Sequence, residues 1–245
     1  MEITRIGFFH FVENYAEPVE ELSAALKKTE LDDIKGALVV LPEAFNLGRF
    51  YRDAVPPGRF YPTALILDQL GDLAQQFGVI FVGGVLEVLP SGNPSPPYNS
   101  AFLVPPRGSA EPTIMSRKAE QGPPGLYTTF DGRCGQNPIL CGQVHIAALV
   151  CNDYKRFQCE LRNELDGSTA KRKVLCVPAC MEKWTFGGST IDFARGVHVI
   201  VANCDPVGCA SFIANRDGEK IARYGEVPSQ CENTLILSTW SQLDT

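Results

Sequence analysis

Apolar residues in this chain fall into two patterns: short, almost unbroken runs, and longer stretches that carry them on one helical face. Ile3 to Phe9, Ala37 to Leu41, Val79 to Val88 and Val144 to Val150 are apolar enough to predict strands buried on both sides. Between the first two, Pro18 takes the first position of a predicted helix, with Glu17, Glu20 and Glu21 at the positive end of its dipole. Val19, Leu22 and Leu26 share one face of that helix. Strand, helix and strand in this order predict a β-α-β unit. Gly48 to Tyr61 reads as a loop. Pro62 begins a second helix, along which Leu65, Leu70, Leu73 and Phe77 recur and which Gly78 closes. Gly83-Gly84 interrupts the strand from Val79 and predicts a bulge or a close backbone approach.

Further on, Asn99 to Val104 and Thr113 to Lys118, joined by Pro105-Pro106-Arg107-Gly108, predict an antiparallel hairpin. Glu120 to Asn137 is irregular, and loops of that length in a compact domain are usually functional. Lys155 to Leu165 predicts a short helix and Ile191 to Arg195 another. Val174 to Val177, Val197 to Ala202, Cys209 to Ala214, Glu219 to Tyr224 and Thr234 to Leu237 predict strands, with a hairpin turn at Asn215-Arg216-Asp217-Gly218. No linker or internal repeat interrupts this order, so residues 1–245 are expected to form one domain.

Composition narrows the class. At 245 residues, 44% hydrophobic and 20% charged, the chain is neither disordered nor collagen-like. A formal net charge of −6 gives no reason to expect nucleic acid or an anionic membrane as partner. No apolar run reaches the ~18 residues that a spanning helix needs. The N-terminus runs straight into a strand without a secretory signal, which predicts a cytoplasmic protein. The nine cysteines are then expected to be reduced. Cys176, Cys204 and Cys209 lie in apolar runs and read as small buried hydrophobes. Cys176 and Cys180 are four apart and Cys204 and Cys209 five apart, looser than the spacing of zinc knuckles, so no metal is expected. Lys171-Arg172-Lys173 reads as the solvated start of a strand.

Candidate chemistry sits at strand ends, where open α/β sheets gather their sites. The run to Leu41-Pro42 meets Glu43, the run to Arg117 meets Lys118, and the run to Val150 meets Cys151. A thiol is a weak nucleophile until a base takes its proton. The three histidines read as structural: His10 follows the first strand without a positioning partner, His145 lies too far along its strand from Cys151 to touch it, and His198 sits in an apolar strand. A buried carboxylate beside a cation can act as base instead. Thiolate attack on an amide or nitrile carbon puts negative charge on the oxygen or nitrogen. Lys118 and the backbone N–H of Asn152 are placed to stabilise it. Trp184 and Phe186 are candidates to line a substrate pocket, or equally to pack. Arg49, Arg52, Arg59 and Arg133 lie in the flanking loops, where one could pair with a substrate carboxylate.

Leu41-Pro42-Glu43-Ala44-Phe45, Ser116-Arg117-Lys118 and Leu149-Val150-Cys151-Asn152-Asp153 with Arg156-Phe157, in this order and at these intervals, resemble the three signature blocks of the nitrilase superfamily of carbon–nitrogen hydrolases. Val82-Gly83-Gly84 to Glu87, Tyr98-Asn99-Ser100-Ala101 and Val177-Pro178-Ala179 support it. The resemblance implies an α/β fold, a four-layer α-β-β-α sandwich that associates into homodimers or larger homo-oligomers. It implies Glu43 as general base, Lys118 as stabiliser of the intermediate and Cys151 as nucleophile, without a metal or organic cofactor. Members often carry a second active-site glutamate past the lysine, and Glu120 is the candidate for it. The implied activity is hydrolysis of a small linear amide or N-carbamoyl compound through a thioester. Transfer of the acyl group to an amine, or a non-catalytic member serving as a binding module, are the alternatives.

Overall fold

The structure, a computed structural model, describes residues 1–11, 17–47, 63–87, 97–120, 129–130, 137–158, 161–180, 196–204, 211–224 and 233–244. The helix expected at 191–195, the loop at 48–61, Cys209, Trp184, Phe186, Arg49, Arg52, Arg59 and Arg133 lie outside them.

Two mixed six-stranded sheets lie face to face. The first holds β1 (Arg5–His10), β2 (Ala37–Val40), β3 (Ile80–Leu86), β4 (Asn99–Val104), β5 (Thr113–Arg117) and β12 (Thr234–Thr239). The second holds β6 (Ile139–Cys141), β7 (Val144–Ala148), β8 (Arg172–Ala179), β9 (His198–Asn203), β10 (Ser211–Ala214) and β11 (Lys220–Tyr224). Their orders are β12-β1-β2-β3-β4-β5 and β11-β10-β9-β8-β7-β6. In the first sheet β1, β2 and β3 run parallel and β4 and β5 follow antiparallel. In the second, β7, β8 and β9 run parallel and β10 and β11 follow antiparallel. Each sheet is completed by one more antiparallel strand, β12 on β1 and β6 on β7. The topology is therefore duplicated, although no repeat is visible in the amino-acid sequence.

Burial explains the unbroken apolar runs. On β1 and β2, Ile6, Phe8, Leu38 and Val40 point between the sheets, against Ile146, Val174 and Ile200 of the second sheet. Phe9, Val39 and Leu41 point the other way, into a second cluster beneath α1 (Pro18–Lys28) and α3 (Thr63–Phe77). Strands buried on both faces cannot alternate with polar residues. Of the expected stripe on α3, Leu70, Leu73 and Phe77 are buried, while Leu65 is exposed and Ile66 takes its place. A short helix α2 (Leu31–Ile34) precedes β2. The helix expected from Lys155 to Leu165 is instead a 3-10 helix at Cys151–Gln158 and α4 (Leu161–Asp166). Leu161 and Leu165 of α4 pack onto the second sheet, so helices flank both sheets as an α-β-β-α sandwich requires. Among the described residues no helix is long and apolar enough to cross a membrane.

Gly83 and Gly84 form no bulge, since the register with β4 runs through both. The second glycine allows the close approach instead. A Cβ on Gly84 would stand 2.7 Å from the Glu43 Cα and 3.1 Å from the Ala44 nitrogen, both backbone atoms. At the opposite end of the sandwich, α5 (Trp240–Leu243) closes the core. Trp240 Nε1 donates to the Ile3 carbonyl at 2.8 Å, and the Arg172 guanidinium lies 4.3 Å from the Trp240 ring centre. Asp244 stands 3.3 Å from Arg172 and 3.8 Å from His198.

Burial lowers His10 and His198 from 6.5 to about 4, and in His198 the Asp244 charge opposes that shift. A histidine whose folded value is depressed leaves the unfolded chain with the greater proton uptake between the two values. Its contribution is full above about pH 6.5 and is lost as pH falls through 4. The expected loss between pH 7 and pH 4 is about 3 kcal/mol per histidine. Thermal melts across that range should show a shallower decline in His198→Gln than in the parent, and equal slopes would contradict this. Gly84→Ala should cost about 1–3 kcal/mol in denaturant melts, because both crowded atoms are main chain and cannot swing aside. An unchanged midpoint would contradict it.

Candidate active site

The carboxyl ends of β2, β5 and β7 converge, and the chain is pinned at each. Beyond β2, Leu41 N–H donates to Val82 O at 2.7 Å and the Glu43 N–H reaches across to Ala179 O of the other sheet at 3.4 Å. Asn46 then grips Leu86 at two points, donating Nδ2 to its carbonyl and accepting its N–H, each at 2.9 Å. Asn137 grips Ala148, the last residue of β7, in the same way at 2.9 and 3.1 Å. Ser116 of β5 donates to the same Ala148 carbonyl at 2.9 Å and ties the two sheets together. Arg117 makes a two-point pair with Glu87 at 2.7 and 2.9 Å, and its guanidinium lies 4.4 Å from the Tyr98 ring centre. Side chains alternate along a strand, so anchoring Arg117 on one side directs Lys118 to the other.

Three of the expected residues meet. Lys118 Nζ donates to Glu43 Oε1 at 2.7 Å, with Lys118 5% and Glu43 1% exposed. The Cys151 thiol lies near enough to the Glu43 carboxylate, the Lys118 ammonium and the Cys180 backbone for each to bear on its proton. Burial raises the Cys151 thiol above its ordinary range and the Glu43 charge raises it further, while Lys118 and the Cys180 N–H pull it back. The resting sulfur is thus protonated beside a carboxylate that can accept its proton. Cys151 itself has φ +51° and Ala44, next to Glu43, has φ +52°. A left-handed conformation costs a non-glycine residue about 1–3 kcal/mol, and such strain gathers where a side chain must be aimed.

The remaining expected residues fare differently. Asn152 follows Cys151 in the 3-10 helix and is half-buried. Glu120 is half-buried two residues past Lys118, with its N–H held by Asp153 Oδ1 at 2.9 Å. Asp153 also accepts the Ala119 N–H at 2.6 Å, so its partners are amides beyond the lysine. Burial raises the Asp153 carboxyl, opposed first by these two N–H donors. Cys204 is a correction: it is half-buried at the end of β9, with its sulfur 3.9 Å from the Glu43 carbonyl, and not in the core as Cys176 is. His10 is buried against Ser211 at 2.8 Å, in keeping with a structural histidine.

One functional contact had not been assigned from sequence. Asn99 Nδ2 donates to Glu43 Oε1 at 2.7 Å, the same oxygen that accepts from Lys118. Its signal was the Tyr98-Asn99-Ser100-Ala101 segment, whose polar residue opens a wholly buried strand. Among the described residues no group of three or more His, Cys, Asp or Glu side chains is arranged to hold a metal ion.

Solved structures of an amidase share this architecture. A double mutant of the amidase from Nesterenkonia sp. AN1 in complex with acrylamide superposes with a TM-score of 0.68 at 17% identity, covering 96% of this chain and 89% of that one. A single mutant of that amidase in complex with butyramide gives 0.66 at 17% identity, covering 99% and 94%. Another mutant, described as belonging to the nitrilase superfamily, gives 0.67 at 17% identity, covering 97% and 92%. No curated protein matches the sequence. The carbon-nitrogen hydrolase family profile matches residues 12–236, and with a match of this span the chain belongs to the carbon-nitrogen hydrolase family.

Proposed function

We propose that the protein hydrolyses the carbon–nitrogen bond of a small linear amide or N-carbamoyl compound through a thioester on Cys151. The observation that carries this reading is the buried Glu43–Lys118 pair at 2.7 Å with the Cys151 thiol beside the same carboxylate. Glu43 takes the thiol proton as sulfur attacks the carbonyl carbon, so the buried anion never stands uncompensated. Lys118 and the Asn152 N–H receive the charge that develops on oxygen. The proton then passes from Glu43 to the leaving nitrogen, and ammonia or an amine departs. Water, deprotonated by Glu43, cleaves the thioester and frees the sulfur.

Asn99 is a positioning residue in this scheme, holding Glu43 Oε1 together with Lys118. The Nesterenkonia amidase binds acrylamide and butyramide, which makes short aliphatic amides the first substrates to test.

Ammonia release from such amides should be abolished in Cys151→Ala, a loss of about 10⁴-fold or more, with thermal unfolding still cooperative. Turnover retained by that variant would remove the thiol mechanism. Lys118→Met should lose about 3–4 kcal/mol of transition-state stabilisation. It should also unfold more easily by about 3–5 kcal/mol, because the Glu43 charge is left buried without its cation. Asn99→Ala should lower kcat about tenfold, the cost of one weakened hydrogen bond of 1.4 kcal/mol, with KM little changed. An Asn99→Ala enzyme altered only in KM would show that Asn99 contacts substrate and not the base. If added amines divert the acyl group into new amides faster than water removes it, the enzyme is a transferase.

A further inference from the structure

Three cysteines, not one, stand at this end of the second sheet, each just past a neighbouring parallel strand. Cys151 follows β7, Cys180 follows β8 and Cys204 follows β9. The register of β8 with β9 ends on the pair Ala179 and Asn203, so Cys180 and Cys204 are the next pair across. The Cys204 N–H donating to Ala179 O at 3.1 Å continues the ladder to that point. Adjacent strands lie about 4.7–4.9 Å apart, inside the ~4.4–6.8 Å between Cα atoms that a disulfide spans. Partners across a sheet point to the same face, and the Cys180 thiol is near enough to raise that of Cys204. Both residues are half-buried, whereas Cys151 is 4% exposed and Cys176 fully enclosed.

We propose that Cys180 and Cys204 are a dithiol modification site that closes to a disulfide when the oxidant is a hydroperoxide, ahead of any oxidation of Cys151. The neighbouring Cys180 thiol, then burial, hold the Cys204 thiol protonated well above its ordinary range, and Cys180 is assigned as the sulfur that reacts first. Its sulfur attacks the outer peroxide oxygen and becomes a sulfenic acid, the O–O bond breaks, and the peroxide's other oxygen leaves as water or an alcohol. Cys204 sulfur then attacks the Cys180 sulfur, and its proton leaves with the hydroxyl as a second water. Two electrons pass from the two thiols to one peroxide. The bond forms beside the Glu43 carbonyl that Cys204 contacts, and both of its sulfurs belong to residues more exposed than Cys151.

The test is peptide mapping of the full-length protein after brief treatment with hydrogen peroxide and alkylation of remaining thiols under denaturing conditions. The expected result is a linked pair of peptides carrying Cys180 and Cys204, an intact mass lower by two hydrogen atoms before alkylation, and Cys151 recovered in alkylated form. Dithiothreitol should restore the original mass, and both Cys180→Ser and Cys204→Ser should lose the linked species. The proposal is overturned if Cys151 is found in the disulfide, if the cysteines go to sulfinic acid without linkage, or if either serine variant still forms the bond. None of these readouts depends on turnover, so the result stands apart from whether the protein hydrolyses amides.

Discussion

Everything at this end of the molecule depends on one buried ion pair, Glu43 with Lys118, held against the Cys151 thiol. Removing two charges from water costs several kcal/mol per ion, and their attraction offsets that only with good geometry and further hydrogen bonds. Both conditions are met, because Glu43 Oε1 accepts from Lys118 and Asn99 at 2.7 Å each. The same dry surroundings keep the sulfur protonated at rest. Such a pair contributes little to stability compared with an apolar core of equal volume. Its value is a base and a cation already stripped of water where charge will develop.

The scaffold serves that arrangement by pinning chain ends that would otherwise fray. Asn46 on Leu86 and Asn137 on Ala148 are the same device used twice, once beyond β2 and once before β7, in a topology that is itself duplicated. Gly84 admits the Glu43 backbone, and the Glu43 N–H bond to Ala179 joins the two sheets beneath the site. Ser116 does the same on the other flank through Ala148. The site is therefore built across the sandwich interface, and the packing that closes the core also sets the distances among its charged groups.

Much of this was legible in the sequence because strand ends are local features. Apolar runs that stop on Glu43, Lys118 and Cys151 placed all three at the carboxyl edges of their strands, and the structure brings these residues together. The β4–β5 hairpin and the turn before β11 were equally plain. What stayed hidden depends on neighbours across a sheet. Nothing around Asn99 indicates that it faces Glu43, 56 residues away. Nor does any local pattern pair Cys180 with Cys204, since β8 and β9 are parallel neighbours joined by a long crossover. Asp153 accepts from two amides more than thirty residues earlier, which no local pattern shows. On α3, Leu70, Leu73 and Phe77 are buried as expected and Leu65 is not, because Leu65 and Ile66 are equally apolar and only the sheet beneath decides between them.

The measurement that bears most directly on the central claim is the intact mass of a Glu43→Gln variant after exposure to a short aliphatic amide, followed by peptide mapping. With the carboxylate replaced, neither the thiol in the first half nor the water in the second can pass its proton to residue 43. The parent chain, quenched in acid during turnover, should carry an acyl group on Cys151 as a thioester that hydroxylamine removes, and the variant should carry none on that timescale. An adduct on any other residue, or a Cys151 acylated in the variant as fast as in the parent chain, would contradict the account.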